Sequence, residues 1–492
     1  MANHASRSAQ IHAGLPHPVI DSDGHIKEGF SAFFAYLDAL AGARMVDRYK
    51  ALMGETRLAP AGSAQQARER RLTRNTWFTL PTQDMRDTAA CALPRLLYER
   101  MEEIGLDVSV VYPTIGLAMN SIADDELRIA SCRAINRLRH DMCEGLTDRL
   151  LPAAVIPMNT PAEAIAEMEY AAGELGMRAV MMASYVKRPV EAIERRYPGA
   201  GEHAYWLDTF GIDSAYDYDP LWAKCVELKI SPTFHSIGWG WGSRTSISSY
   251  IYNHLGGFAA SAEAVCKALF FGGVSVRFPT LTFGFCEGGV AWARNLYCDL
   301  VAHWQKRRGE MLEHNYGPHH IDRQALGALF ERYARKGVDA DMEELIRGYL
   351  HRPSGEYPFI FDEFERCGVR TLEDFRARFI DPFYFGCEGD DPMNALAFNG
   401  RGTPLNARLN ALYGSDISHW DVPRHSEVLE EAYEMVEHGL ASEADLRDFV
   451  FINPINFWTA TNPDFFKGTV VEKQVAQVLA ARRADSQHQS IQ

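Results

Sequence analysis

From residue 93 onward the chain alternates between helical spacing and short apolar runs. Residues 94–105 (PRLLYERMEEIG) repeat apolar positions at helical intervals and end on Gly105, a C-cap. Asp107–Pro113 (DVSVVYP) then reads as a buried strand. The rhythm continues through helix 123–149, with Asp124 or Asp125 near its cap, strand 150–158, helix 161–175 and strand 178–183. After a loop rich in Tyr, Gly and Asp come helix 219–228, strand 231–236, helix 258–271, strand 280–286 and helix 289–305. Strand 382–387, helix 391–398 and strand 411–415 resume it, and residues 424–482 are mainly helical. Pro18–Ile26 supplies one earlier strand that ends in polar residues. Eight apolar strands separated by helices predict a parallel sheet with helices outside, and eight is the number that closes a (β/α)8 barrel. The runner-up, a doubly wound open sheet, needs a glycine-rich first turn, whereas the first strand here runs into Asp23-Gly24-His25.

Two stretches break the rhythm. Residues 30–92 are irregular, with helical pieces, a basic run (Arg68, Arg70, Arg71, Arg74) read as a solvated face, and the pair Trp77-Phe78. Residues 306–378 are charged and helical, and include His319-His320, read as surface. The expected organisation is a loose arm over 1–16, a barrel over 17–435 with those two insertions, and a helical extension over 436–492.

Composition narrows the function. The 65 acidic residues exceed the 50 basic ones, for a net charge of -15, which disfavours nucleic acid as a partner. Nine cysteines with no CxxC pair read as reduced thiols of a cytoplasmic protein. No apolar run approaches the ~18 residues of a membrane span, and the first ten residues lack a signal peptide's apolar stretch. A small-molecule substrate is therefore the expected partner.

Sites on a parallel barrel lie at the C-terminal ends of the strands. Those ends carry Asp23 and His25 on the first strand, His235 on the fifth, Glu287 on the sixth, Glu388, Asp390 and Asp391 on the seventh, and Asp416 on the eighth. Alternation places Asp23 and His25 on one face, pointing into the mouth. Imidazoles and carboxylates without thiolate suit divalent zinc, manganese or iron, with a position left open for water. Glu388-Gly389-Asp390-Asp391 resembles a metal cluster, but Asp390 or Asp391 more simply caps the following helix.

Five segments taken in order resemble the amidohydrolase-related family typified by aminocarboxymuconate-semialdehyde decarboxylase, within the metal-dependent amidohydrolase superfamily. They are IDSDGHIKE (20–28), LYERMEEIGLDVSVVYPT (97–114), DPLWAKCVELKISPTFHS (219–236), FPTLTFGFCEGGVAW (278–292) and LYGSDISHWD (412–421). The resemblance implies a distorted (β/α)8 TIM barrel with helical insertions and one catalytic divalent metal, zinc first, with manganese or iron as alternatives. It also implies homo-oligomers, or a heteromer with a related chain. Its ligand set falls on Asp23, His25, His235 and Asp416. The acid in first place resembles the branch that includes aromatic-acid decarboxylases. One departure stands out: the proton-handling His before Gly-Gly on the sixth strand is replaced by Glu287. A glutamate there can act as acid or base, or bind metal, and together with Glu28 would favour a second ion.

Further roles attach to the loops. Asp416, Glu287 and His254 are the expected catalytic groups, and Trp239, Trp241, Arg244 and His419 the expected substrate contacts. Tryptophans separated by glycine can wall a substrate, Arg244 can pair with a carboxylate, and His419 can orient Asp416. Three functions are compatible with this set. The first is hydrolysis of a C–N or C–C bond, or decarboxylation of a small organic acid, at one metal. The second is oxygen activation at a metal pair, as in an isobutylamine N-hydroxylase. The third is a non-catalytic partner subunit.

Overall fold

The computed structural model describes residues 5–55, 64–69, 71, 73–77, 79–236, 241–350 and 362–489. Arg70, Phe78 and Trp239 lie outside the described residues. Eight short strands rich in β-branched and aromatic residues form one sheet: β1 (Ile20–Ile26), β2 (Val108–Pro113), β3 (Leu150–Ile156), β4 (Ala179–Met182), β5 (Thr233–Phe234), β6 (Phe283–Phe285), β7 (Phe383–Glu388) and β8 (Asn410–Gly414). Neighbours in this series are neighbours in the sheet, and each of these pairs is parallel.

The first and last strands close the ring. Asp416 N–H donates to the Asp23 carbonyl at 2.9 Å, and His25 N–H to the Ile417 carbonyl at 3.1 Å. Asp21 pins the seam. Its buried carboxylate accepts from Ser109 Oγ on β2 at 2.6 Å, and from Ser415 N–H and Oγ, just past β8, at 2.9 and 2.7 Å. Such a carboxylate tolerates burial because hydrogen bonds replace its water. The molecule is thus a (β/α)8 barrel.

Local signals account for the helices. Asp124 caps Asp125–Met142 by accepting from Leu127 N–H. Gly105 takes φ +88° to end Pro94–Ile104, a conformation that costs glycine little. Asp391 accepts from Met393 N–H and so starts the short helical turn after β7, as expected for a cap.

Three elements differ from the sequence expectation. The N-terminal arm is not loose: Arg7–Gly14 is a helix, capped by Ser6, that packs on helices Pro94–Ile104 and Val428–Glu437. The loop after β4 contains an antiparallel pair, Val186–Pro189 with Tyr205–Asp208, too short to leave an alternating pattern that can be read. The C-terminal extension belongs to the barrel floor. Ser231 and Thr282, just before β5 and β6, donate to the Phe457 carbonyl, and Asn453 donates to the Ala411 carbonyl on β8. By contrast, helices Gly309–Tyr316 and Arg323–Tyr333 of the second insertion bury no residue.

Candidate metal centre

Five side chains at or near the strand ends converge at the barrel mouth. His25 Nε2 lies 3.6 Å from Asp23 Oδ1, 3.5 Å from Glu287 Oε1, 3.4 Å from Asp416 Oδ1 and 3.3 Å from His235 Nε2. His235 Nε2 lies 3.8 Å from Asp23 Oδ1 and 3.5 Å from Glu287 Oε1. Donors about 2.1 Å from a common ion lie about 3–3.5 Å apart at tetrahedral or octahedral angles. At most 4% of any of these side chains is exposed. The three oxygens facing His25, namely Asp23 Oδ1, Glu287 Oε1 and Asp416 Oδ1, have no hydrogen-bond partner among the described residues. Unpartnered buried carboxylate oxygens are costly, and a divalent cation removes that cost. The residues present therefore fit the ion.

Backbone geometry aims two of the carboxylates. Glu287 has φ +52° and Asp416 φ +46°, left-handed conformations rare for residues with a Cβ. Each sits where a strand gives way to its loop. His25 Nδ1 lies 3.3 Å from the Pro113 carbonyl, which can only accept. The proton therefore sits on Nδ1, and Nε2 presents its lone pair to the cluster. His419 stacks on the His25 ring at 3.7 Å and places Nδ1 2.5 Å from Asp416 Oδ1 and 3.4 Å from Glu287 Oε1. Neither contact has the alignment of a hydrogen bond. His419 nonetheless stands where it can orient the aspartate, while Trp77 meets its ring edge-on at 5.4 Å.

The metal-free electrostatics show what an ion would relieve. Burial, reinforced by Glu287 and Asp21 against the pull of His235, pushes the Asp23 carboxyl up to about 8. Burial also drives Asp416 well above the carboxylate range, with Glu287, Asp421 and Glu388 adding to it. Burial opposes the charge on Glu287 too, but His235, His25 and His419 outweigh it and hold the group well below its ordinary value. His25 is driven well below the usual imidazole value by burial and by His419. Opposed shifts among touching groups are characteristic of functional sites.

Glu28 requires a correction. Its buried carboxylate forms an ion pair with Arg139 and accepts the N–H groups of Thr114 and Ile115 at 3.2 and 3.0 Å. With its oxygens committed, it holds the loop after β2 and joins none of the groups of converging donors among the described residues. His254, the last residue of a short helix Tyr250–His254, places Nε2 3.4 Å from Asp421 Oδ2. Burial lowers its basicity, but the bond to Asp421 outweighs that and raises it. Its ring meets Trp420 edge-on at 5.3 Å. Trp241 packs edge-on against Tyr185 at 5.3 Å, and Arg244, bridged to Trp241, is exposed. His319 and His320 are exposed in the second insertion, and Arg68, Arg71 and Arg74 in the first.

Sequence reasoning missed Asp421. It pairs with His254, and one of its carboxylate oxygens lies within 4.8 Å of oxygens from Glu388 and Asp416. Its only signal was its place in the loop after the eighth strand, two residues past His419. Folding of that loop, not spacing, brings it back over the mouth.

The amidohydrolase family model matches residues 87–335, slightly more than half of the chain and a span that includes His235, His254 and Glu287. No curated protein matches. Among solved structures, an amidohydrolase from Mycobacterium avium subsp. paratuberculosis K-10 is 15% identical, with 90% of this chain and 100% of that one covered at a TM-score of 0.50. A dihydroxybenzoic acid decarboxylase from Polaromonas sp. JS666, solved with bound manganese and an inhibitor, is 15% identical, covering 92% and 99% at a TM-score of 0.47. A 4-oxalomesaconate hydratase from Rhodopseudomonas palustris is 14% identical, covering 90% and 97% at a TM-score of 0.45. Identities this low bear on the fold alone, which the Mycobacterium structure shares; the family rests on the match over residues 87–335, and by it the chain belongs to the amidohydrolases, a family of metal-dependent enzymes.

Proposed function

We propose that the chain hydrolyses a C–N or C–C bond of an uncharged or cationic small molecule, with one divalent ion held by Asp23, His25, His235, Glu287 and Asp416. The observation that carries this reading is the set of three unpartnered carboxylate oxygens facing His25 Nε2. Two imidazole nitrogens with carboxylate oxygens suit manganese, iron or zinc. Zinc, the first choice on sequence, has no advantage over manganese in a set this rich in oxygen. When bound, the ion supplies the positive charge that acidifies water and polarises a scissile carbonyl.

The protein's own groups do the proton work. Asp416, oriented by His419, takes the proton of the attacking water. His254, its basicity raised by Asp421, delivers a proton to the leaving group. The charge of the mouth supports an uncharged or cationic substrate over an anionic one. Among the described residues, no Lys or Arg pairs with Asp23, Glu287, Glu388, Asp416 or Asp421, so an organic acid would meet uncompensated carboxylates.

The test is a panel of neutral amides, cyclic amides and β-diketones beside aromatic acids, each offered to the manganese- and zinc-loaded chain. Hydrolysis of a neutral compound is expected, with Asp416→Asn lowering kcat by ~100-fold or more. His235→Ala is expected to weaken metal binding by at least ~10-fold. Carbon dioxide release from an acid, with every neutral compound untouched, would overturn the hydrolytic reading, and unchanged metal loading in His235→Ala would overturn the centre itself.

A further inference from the structure

The mouth holds more carboxylate than one divalent ion can balance. Beside the cluster around His25, a second group converges: Glu388 at the end of β7, Asp416 after β8, and Asp421 further along the same loop, each offering an oxygen within 4.8 Å of the others. Asp416 belongs to both groups. Asp416 is 2% exposed, and its Oδ1 lacks a hydrogen-bond partner among the described residues. Asp421 is half-buried, with 24% of its side chain exposed; its Oδ1 is shielded from solvent and has no hydrogen-bond partner among the described residues, while Oδ2 of the same carboxylate faces His254 at 3.4 Å. Glu287, itself buried with an unpartnered oxygen, adds its charge beside them. The only charge-bearing partners within ion-pair distance of these groups, among the described residues, are the imidazoles His25, His235, His254 and His419.

The backbone is shaped to produce this convergence. Asp416 and Ser418 take φ +46° and +79°, turning the loop after β8 back over the mouth so that Asp421 arrives beside Asp416. The end of β7 is fixed from behind. Asn394 Nδ2 donates to the Glu388 carbonyl at 2.6 Å, and Gly389 passes so close to helix Val428–Glu437 that an added Cβ would meet the Val428 carbonyl at 3.0 Å. Like charges this close do not gather without protons or a cation between them.

We propose that Glu388, Asp416 and Asp421 form a second divalent-cation site, with Asp416 bridging to the ion of the His25 cluster. The site rests on the metal centre proposed above, since Asp416 is shared. An all-oxygen donor set takes hard ions, manganese or magnesium, in preference to zinc. The two sites therefore differ in chemistry: one has imidazole nitrogens and the other has none. The second ion balances the surplus carboxylate charge and leaves His254 free on the other oxygen of Asp421.

The experiment titrates the metal-free full-length chain with Mn2+, counting bound ions by calorimetry and by the loss of the free-ion electron paramagnetic resonance signal. Wild type is expected to take two ions per chain, the second ~10-fold or more weaker and displaced by Mg2+. The filled protein should show the spectrum of a spin-coupled pair, because Asp416 bridges. Glu388→Gln and Asp421→Asn should each take one ion and retain the tight event, with folding checked by circular dichroism. If wild type saturates at one ion, or both variants still take two, the second site is wrong and the carboxyls share protons instead. His235→Ala separates the readings, because survival of the tight event in that variant would bring down the first centre, whereas its loss alongside a single ion in wild type would bring down only the second. Should Glu388→Gln fail to fold, the wild-type count and Asp421→Asn still decide.

Discussion

His425 shows how one buried side chain sets a pH limit away from the metal. Its ring is fully buried, with Nε2 3.8 Å from Cys91 Sγ and Nδ1 3.6 Å from Asp87 Oδ1. Burial, with Arg100 nearby and only partly opposed by Asp87, pushes it down to about 4 from the ordinary 6.5. Between those values the unfolded chain takes up a proton that the folded chain refuses. The contribution is therefore intact above pH 6.5 and lost as pH falls toward 4. Its size is on the order of 3 kcal/mol. Urea midpoints measured from pH 7 down to pH 4.5 should fall less steeply in His425→Gln than in wild type; parallel slopes would dismiss this account. The Cys91–His425–Asp87 series has the residue types of a nucleophilic site, but all three are buried and burial raises the thiol, so its role is packing.

Among the elements, the connection between β1, β2 and helix Asp125–Met142 depends on one ion pair. Glu28 follows β1, Arg139 lies on the helix, and the glutamate's oxygens also take two N–H groups of the loop after β2. Removing one partner of a buried pair leaves the other charge unpaired, at a cost of about 3–5 kcal/mol. Glu28→Ala should lose stability of that order in chemical denaturation while its folded fraction keeps the wild-type Mn2+ count. A lower count in folded protein would restore Glu28 to the ligand set. The sequence could not separate these roles, because Glu28 stands three residues past His25, as a ligand would. What settles it is Arg139, far along the chain and invisible to local spacing. The cap after β7 is the opposite case: a capping role for Asp390 or Asp391 followed from sequence, and Asp391 fills it, because the bond is to a residue two positions away.

The whole molecule is closed from below by its C-terminal extension. Trp458, 1% exposed, stacks on Phe465 at 4.5 Å, meets Phe457 edge-on at 4.6 Å and donates Nε1–H to Ser22 Oγ, next to Asp23. Trp458→Ala should cost about 3–5 kcal/mol from lost burial and the cavity left behind. It should also weaken Mn2+ binding, because the floor supports β1; calorimetry showing full affinity in a destabilised protein would confine the role to packing. Sequence by itself determined the eight strands, their parallel order and the strand-end residues Asp23, His25, His235, Glu287 and Asp416, because apolar periodicity and position along a strand are local properties that survive without coordinates. Only tertiary structure decided that Glu28 is tied to Arg139, that Asp421 returns to meet Glu388, and that the C-terminal helices complete the barrel. Those outcomes depend on where distant segments meet once the ring closes, and contact between residues far apart in the chain leaves no mark on the spacing of either one.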